Sequence, residues 1–165
     1  MLADGYNLEI LNGGMIFRQM AADRDLTLPE FGRLAEEDSR IDAELDRTIE
    51  GHITAHCQGD RAPDGDGHIV ESRLAGWHAD GRADIAIGLG APADVRARRL
   101  DDRTETTTEL QTREESERTR YQTYYDIDIQ DYSVYDLTLD TETFSEEGMY
   151  TVVSAALDEI VGTQQ

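Results

Sequence analysis

The chain has 165 residues, enough for one domain with a core of its own, and sets 36 acidic residues against 15 arginines with no lysine at all. The formal net charge of −21 repels nucleic acid and anionic membrane surfaces, so a phosphate-bearing ligand must be drawn into a local basic pocket. The single cysteine, Cys57, excludes an internal disulfide and fits a reducing cytoplasm, and neither an apolar run of about 18 residues nor a signal segment points to membrane or export.

In chain order, Met1 to Tyr6 reads as the tail of a helix ended by Gly5. Leu8 to Leu11 is a short buried strand, and Asn12-Gly13-Gly14 is a turn that lets backbone approach a ligand. A helix opens at Met15 with Arg18 near its first turns. An arginine at the mouth of a strand-glycine-helix unit is a phosphate anchor or a solvated helix-face residue. Leu28 to Leu34 and Ile41 to Ile53 form two further helices, the second with isoleucine and leucine spaced by fours. His52, His56 and Cys57 lack the glutamate or second cysteine pair of a metal motif and read as ordinary helix residues. The stretch 58–67 is a polar loop without calcium-loop spacing.

His68 to Glu71 is the second strand, broken by Ser72-Arg73-Leu74-Ala75-Gly76-Trp77. A charged residue just past a strand end is where open α/β sheets place ligand contacts, which makes Arg73 a second phosphate candidate. Ala83 to Gly90 is a third strand with Ile85, Ile87 and Leu89 on one face. Its other face carries Ala86, Gly88 and Gly90, so something packs closely there. Pro92 starts a helix bearing Arg96, Arg98, Arg99 and Arg103. The stretch from Arg113 to Tyr125 gathers three cations, and on a helix Arg113 and Arg120 lie nearly in line, roughly 10 Å apart. They could close on one extended anion with Glu117 between them holding both, or form a solvated face of Glu-Arg pairs. Val134 to Leu139 is a fourth strand, and Ser145 caps a last amphipathic helix.

Strands alternating with helices, with arginines at several element ends, indicate a parallel α/β domain that handles phosphates. Three segments, Asn12-Gly13-Gly14-Met15-Ile16-Phe17-Arg18, Glu71 to Trp77, and Arg113 to Tyr121, resemble the cytidylate kinases of the short archaeal type. The run from Tyr124 to Leu137 is similar to that family's segment after the lid. The resemblance implies one domain over 1–165 with a parallel-sheet, three-layer fold like that of the P-loop kinases. It further implies a helical NMP-binding insertion over 28–57 and a lid region over 104–125. Arg18 and Arg73, with the Gly13-Gly14 turn, would bind the acceptor phosphate. Arg113 and Arg120 would reach the transferring phosphoryl group, and Arg99 would lie by the donor nucleotide.

The implied activity is transfer of the γ-phosphoryl group of ATP to CMP or dCMP with Mg2+, by a cytoplasmic monomer whose partners are small nucleotides, not nucleic acid or membrane. Two departures stand out. Met15 occupies a position where the family usually has an acid, and the family's opening strand and Gly-Lys-Ser/Thr phosphate loop do not occur in this sequence. The resemblance therefore also implies that the strands present form two half-sheets. It leaves a nucleotide-binding remnant or regulatory module without kinase activity as the alternative.

Overall fold

A computed structural model of the chain describes residues 1–57, 67–99 and 107–162. The polar loop expected over 58–67, apart from Gly67, lies outside the described residues, as do Arg103 and the side chains of His56 and Cys57. Helix α1 (Leu2–Tyr6) leads into strand β1 (Glu9–Asn12) and helices α2 (Gly13–Ala22), α3 (Leu28–Glu37) and α4 (Arg40–Cys57). Strand β2 (His68–Glu71), helix α5 (Ala75–Ala79), strand β3 (Ile87–Gly90) and helix α6 (Ala93–Arg98) follow. The chain closes with helix α7 (Thr107–Tyr125), strand β4 (Leu137–Asp140) and helix α8 (Glu146–Gly162).

The class is α/β with parallel strands, arranged as two separate pairs. β1 lies beside β2 in the register Glu9↔His68 to Asn12↔Glu71, and β3 lies beside β4 in the register Ile87↔Leu137 to Gly90↔Asp140. The strands are shorter and less covered than their sequence suggests. Ile10 in β1 is 57% exposed and Leu89 in β3 is 62% exposed, so neither is the buried central residue that an apolar strand pattern implies. The main core is helical. Met20 and Ala21 of α2 pack with Phe31 and Ala35 of α3 and Ile41 of α4, and the rings of Phe17 and Phe31 lie 4.7 Å apart.

Local chemistry explains the element ends. Thr27 and Glu30 form a reciprocal capping box that starts α3, and the Ser145 hydroxyl accepts from the Gly148 N–H at the start of α8. Asn12 caps α2 by accepting from the Met15 N–H at 2.9 Å, so the helix begins at Gly13 and not at Met15. At the end of α1 the left-handed residue is Asn7, with φ of 51°, and not Gly5. Gly5 serves close packing: a Cβ there would lie 2.8 Å from the Tyr150 hydroxyl of α8. β3 starts at Ile87 because Ala86 is taken up by the turn that carries Asp136. The Ala86 N–H donates to the Asp136 carboxylate at 2.7 Å, and the Ala86 carbonyl accepts from the Asp136 N–H at 2.8 Å.

The expected close packing on the small face of β3 is supplied by Tyr135. A Cβ on Gly88 would sit 2.9 Å from its ring, and a Cβ on Gly76 of α5 would sit 2.8 Å from it. One aromatic ring thus fills the space between the helix that follows β2 and the strand β3, and Trp77 packs on it edge-on at 5.8 Å. The ring joins β3 to α5, the helix that follows β2. Gly88→Ala should therefore overpack this contact and destabilise the protein by about 1–3 kcal/mol in denaturant unfolding, with part of the loss recovered when Tyr135→Leu is added. Strict additivity of the two changes would contradict the contact.

Candidate active site

The parallel pairing of β1 with β2 sets their carboxyl ends side by side, with Asn12 opposite Glu71. Asn12 serves both: its Oδ1 caps α2, and its Nδ2 donates to the Glu71 carboxylate at 2.7 Å. Gly13 allows this closeness. A Cβ there would be 3.1 Å from the Ser72 side chain and 3.2 Å from Ile49, so the first turn of α2 rests directly on the chain leaving β2. Gly14 is exposed, and the guanidinium of Arg18 folds back over it, its two terminal nitrogens 3.5 and 3.8 Å from where a Cβ would be. A cation held against the first turn of a helix adds to the positive end of the helix dipole, a combination that favours an anion.

Arg73 stands two residues beyond Glu71. Its Nε pairs with Glu117 of α7 at 3.0 Å, the arginine side chain being 45% exposed and the glutamate 14%. The structure thus places Gly13, Gly14 and Arg18 at the end of β1 and Arg73 two residues past the end of its partner β2, with the Arg18 guanidinium over the first turn of α2 and that of Arg73 on Glu117. Arg99 belongs to the other pair of strands: its guanidinium donates to the Thr141 hydroxyl at 2.7 Å and to the Thr141 carbonyl, just past β4.

The helix α7 carries the remaining two candidates. Arg113 is half-buried on it. Arg120 is only 4% exposed, and its donors go to Asp42 of α4 at 2.8 Å, to the Ser116 hydroxyl at 3.0 Å and to the Gly32 carbonyl at 3.5 Å, while its charge faces the rings of Phe17 and Tyr121. Glu117 meets Arg73, in place of the Arg113 and Arg120 pairing expected of it.

Sequence reasoning passed over the acids of α4. Asp42, Asp46 and Glu50 recur every four residues and so share one helix face. Arg120 answers the first. The Tyr125 hydroxyl donates to Asp46, and His78 of α5 spans the other two, with Nε2 3.0 Å from Asp46 and Nδ1 3.2 Å from Glu50. Burial lifts the Asp42 carboxyl above its ordinary value against the opposing pull of Arg120, and burial likewise raises the Tyr125 phenol, aided by Asp46. Arg96 was equally unforeseen as a link. It grips Glu114 of α7 with two bonds of 2.9 and 2.8 Å, tying α6 to that helix. Among the described residues no three His, Cys, Asp or Glu side chains are grouped to hold a metal ion, and no helix is long and apolar enough to cross a membrane.

Burial alone would lower the pKa of His78, but the bond to Asp46 and the charges of Asp46 and Glu50 outweigh it and raise the value above 6.5. The imidazolium therefore contributes stability that is complete below pH 6.5 and is lost as pH rises through the raised folded-state value. Melting temperature should fall as pH rises above 6.5, and His78→Asn should flatten that decline. An equal decline in the variant would show that His78 is not its source.

Residues 1–143 match the cytidylate kinase-like family. The chain is 45% identical over 162 residues to a cytidylate kinase of Halobacterium salinarum, covering 95% of this chain and 80% of that protein. It is 44% identical over 162 residues to one from Natronomonas pharaonis, with the same coverage, and 39% identical over 171 aligned positions to one from Methanosarcina mazei, covering 99% of this chain and 90% of that protein.

Proposed function

Since the chain belongs to the cytidylate kinase-like family, we propose that it serves the transfer of the γ-phosphoryl group of ATP to CMP or dCMP and binds the acceptor phosphate where β1 and β2 end. The observation that carries this reading is the placement of Arg18 over Gly14 at the start of α2, beside a strand end that presents Arg73. In a protein of net charge −21, two arginines and a helix N-terminus in one corner form a local attraction for a doubly charged phosphate.

Residues 28–57 close over the acceptor base and the region 104–125 acts as the lid. Arg113 and Arg120 of α7 serve the transferring phosphoryl group. Arg99 lies on the donor side. ATP arrives with its magnesium, which is held mainly by phosphate oxygens and water. Catalysis on this reading is positioning plus charge neutralisation in a site closed to water. The sequence contains no Gly-x-x-x-x-Gly-Lys-Ser/Thr stretch, so residues 1–165 do not themselves supply a backbone cradle for the donor phosphates. That observation favours a second reading, in which the monophosphate is bound without being phosphorylated. Formation of CDP from CMP and ATP by the purified chain separates the two.

The acceptor site is tested apart from the donor by comparing CMP with cytidine. Arg73→Ala and Arg18→Ala should each weaken CMP binding by about 1.5–3 kcal/mol, tenfold or more, and leave cytidine binding unchanged in calorimetric titration. An equal loss for cytidine, or none for CMP, would remove the phosphate from this corner.

A further inference from the structure

The ion pair between Arg73 and Glu117 joins two parts of the chain that the function needs to act together. Arg73 leaves the end of β2, and Glu117 projects from the middle of α7. The two sides of the pair differ in exposure. The glutamate is largely buried and the arginine is half in solvent, so the carboxylate is the fixed partner and the guanidinium the one that is held. Glu117 is fixed because α7 is bolted on both sides of it. Arg96 grips Glu114 one turn before, and Asp42 grips Arg120 one turn after.

A guanidinium has two edges that can each offer a pair of donors, and the observed contact engages Nε. The edge formed by its two terminal nitrogens is not the one recorded in that contact, and it is the edge with the geometry to fit phosphate oxygens.

We propose that Glu117 is a positioning residue for the acceptor phosphate: it orders Arg73 by its Nε so that the terminal fork is presented at the joint end of β1 and β2. The proposal rests on the acceptor-site reading above. Two effects of Glu117 oppose each other. Its negative charge repels a phosphate, but the arginine lies between them and its exposed side is screened by water and salt. Against that, an arginine left unheld among 36 acids has many rotamers and rival partners to give up before it can bind. Ordering outweighs repulsion, so loss of the glutamate weakens binding of the phosphate.

The test is titration of the full chain with CMP and with cytidine, in the wild type, Glu117→Leu, Glu117→Gln, Arg73→Ala and the double variants of Arg73→Ala with each. Glu117→Leu should lower CMP affinity about five- to tenfold and leave cytidine affinity unchanged, and Glu117→Gln, which keeps an acceptor for Nε, should cost about two- to threefold. Both losses should vanish in the Arg73→Ala background. Should Glu117→Leu fail to fold, Glu117→Gln with and without Arg73→Ala decides the matter on its own. CMP affinity that is unchanged or tighter in the Glu117 variants, or a loss that persists without Arg73, overturns the positioning role while the loss caused by Arg73→Ala keeps the acceptor site. If Arg73→Ala itself leaves CMP affinity unaltered, the acceptor site and this role fall together.

Discussion

The bond between Arg120 and Asp42 sets the position of α7, and most of the arrangement follows from it. Both residues are withdrawn from water, at 4% and 3% exposure, and their 2.8 Å contact ties α7 to α4. Removing one member of such a pair leaves a buried charge and costs about 3–5 kcal/mol, although the intact pair is worth far less than that once desolvation is counted. Its value is in placement. With Arg120 seated, Glu117 one turn away meets Arg73, Glu114 another turn away meets Arg96, and the Tyr124 hydroxyl reaches the Ala35 and Glu36 carbonyls at the end of α3. One helix thereby touches the end of β2, the helix after β3 and the helices α3 and α4. It does so with few buried apolar residues, Leu110 and Tyr121 among them.

This division of labour suits the composition. A chain with 36 acids cannot leave its arginines to chance, because each cation has many anionic neighbours within a few ångströms of free side-chain motion. Acids placed in rows give each basic group a defined seat. Asp42, Asp46 and Glu50 form such a row on α4, and Arg120, Tyr125 and His78 occupy it in order. Arg18 is the contrast among the candidate residues, since it lies exposed over a helix N-terminus that already carries positive potential. The difference between seated and poised arginines is what marks the corner at the end of β1 as a site for an anion.

Much of this was legible in the sequence, and what was not has identifiable causes. Glycines next to a strand end, followed by an arginine, indicated the corner formed by Gly13, Gly14 and Arg18, because few other arrangements use that residue order. The small face of Gly88 and Gly90 announced a close neighbour, though not that it would be Tyr135, since ring packing across 47 residues leaves no local pattern. Helix α5 was hidden by its length of five residues and by the glycine within it. The acid row of α4 was masked by the isoleucines at positions 41, 49 and 53, which dominated the periodicity, while Asp42 is among the most buried residues of the helix. Glu117 lies three residues from one arginine and four from another, so local spacing pointed to those. The partner it has, Arg73, is close only in the fold.

The claim on which the rest depends is that a nucleoside monophosphate places its phosphate where β1 and β2 end. A crystal structure of the chain with CMP reads this directly. The phosphate should lie within hydrogen-bonding distance of the guanidinium groups of Arg18 and Arg73 and of the first N–H groups of α2, with the Arg73 Nε still on Glu117. A phosphate found instead beside Arg96 and Arg99, with Arg18 and Arg73 left untouched, would contradict the account.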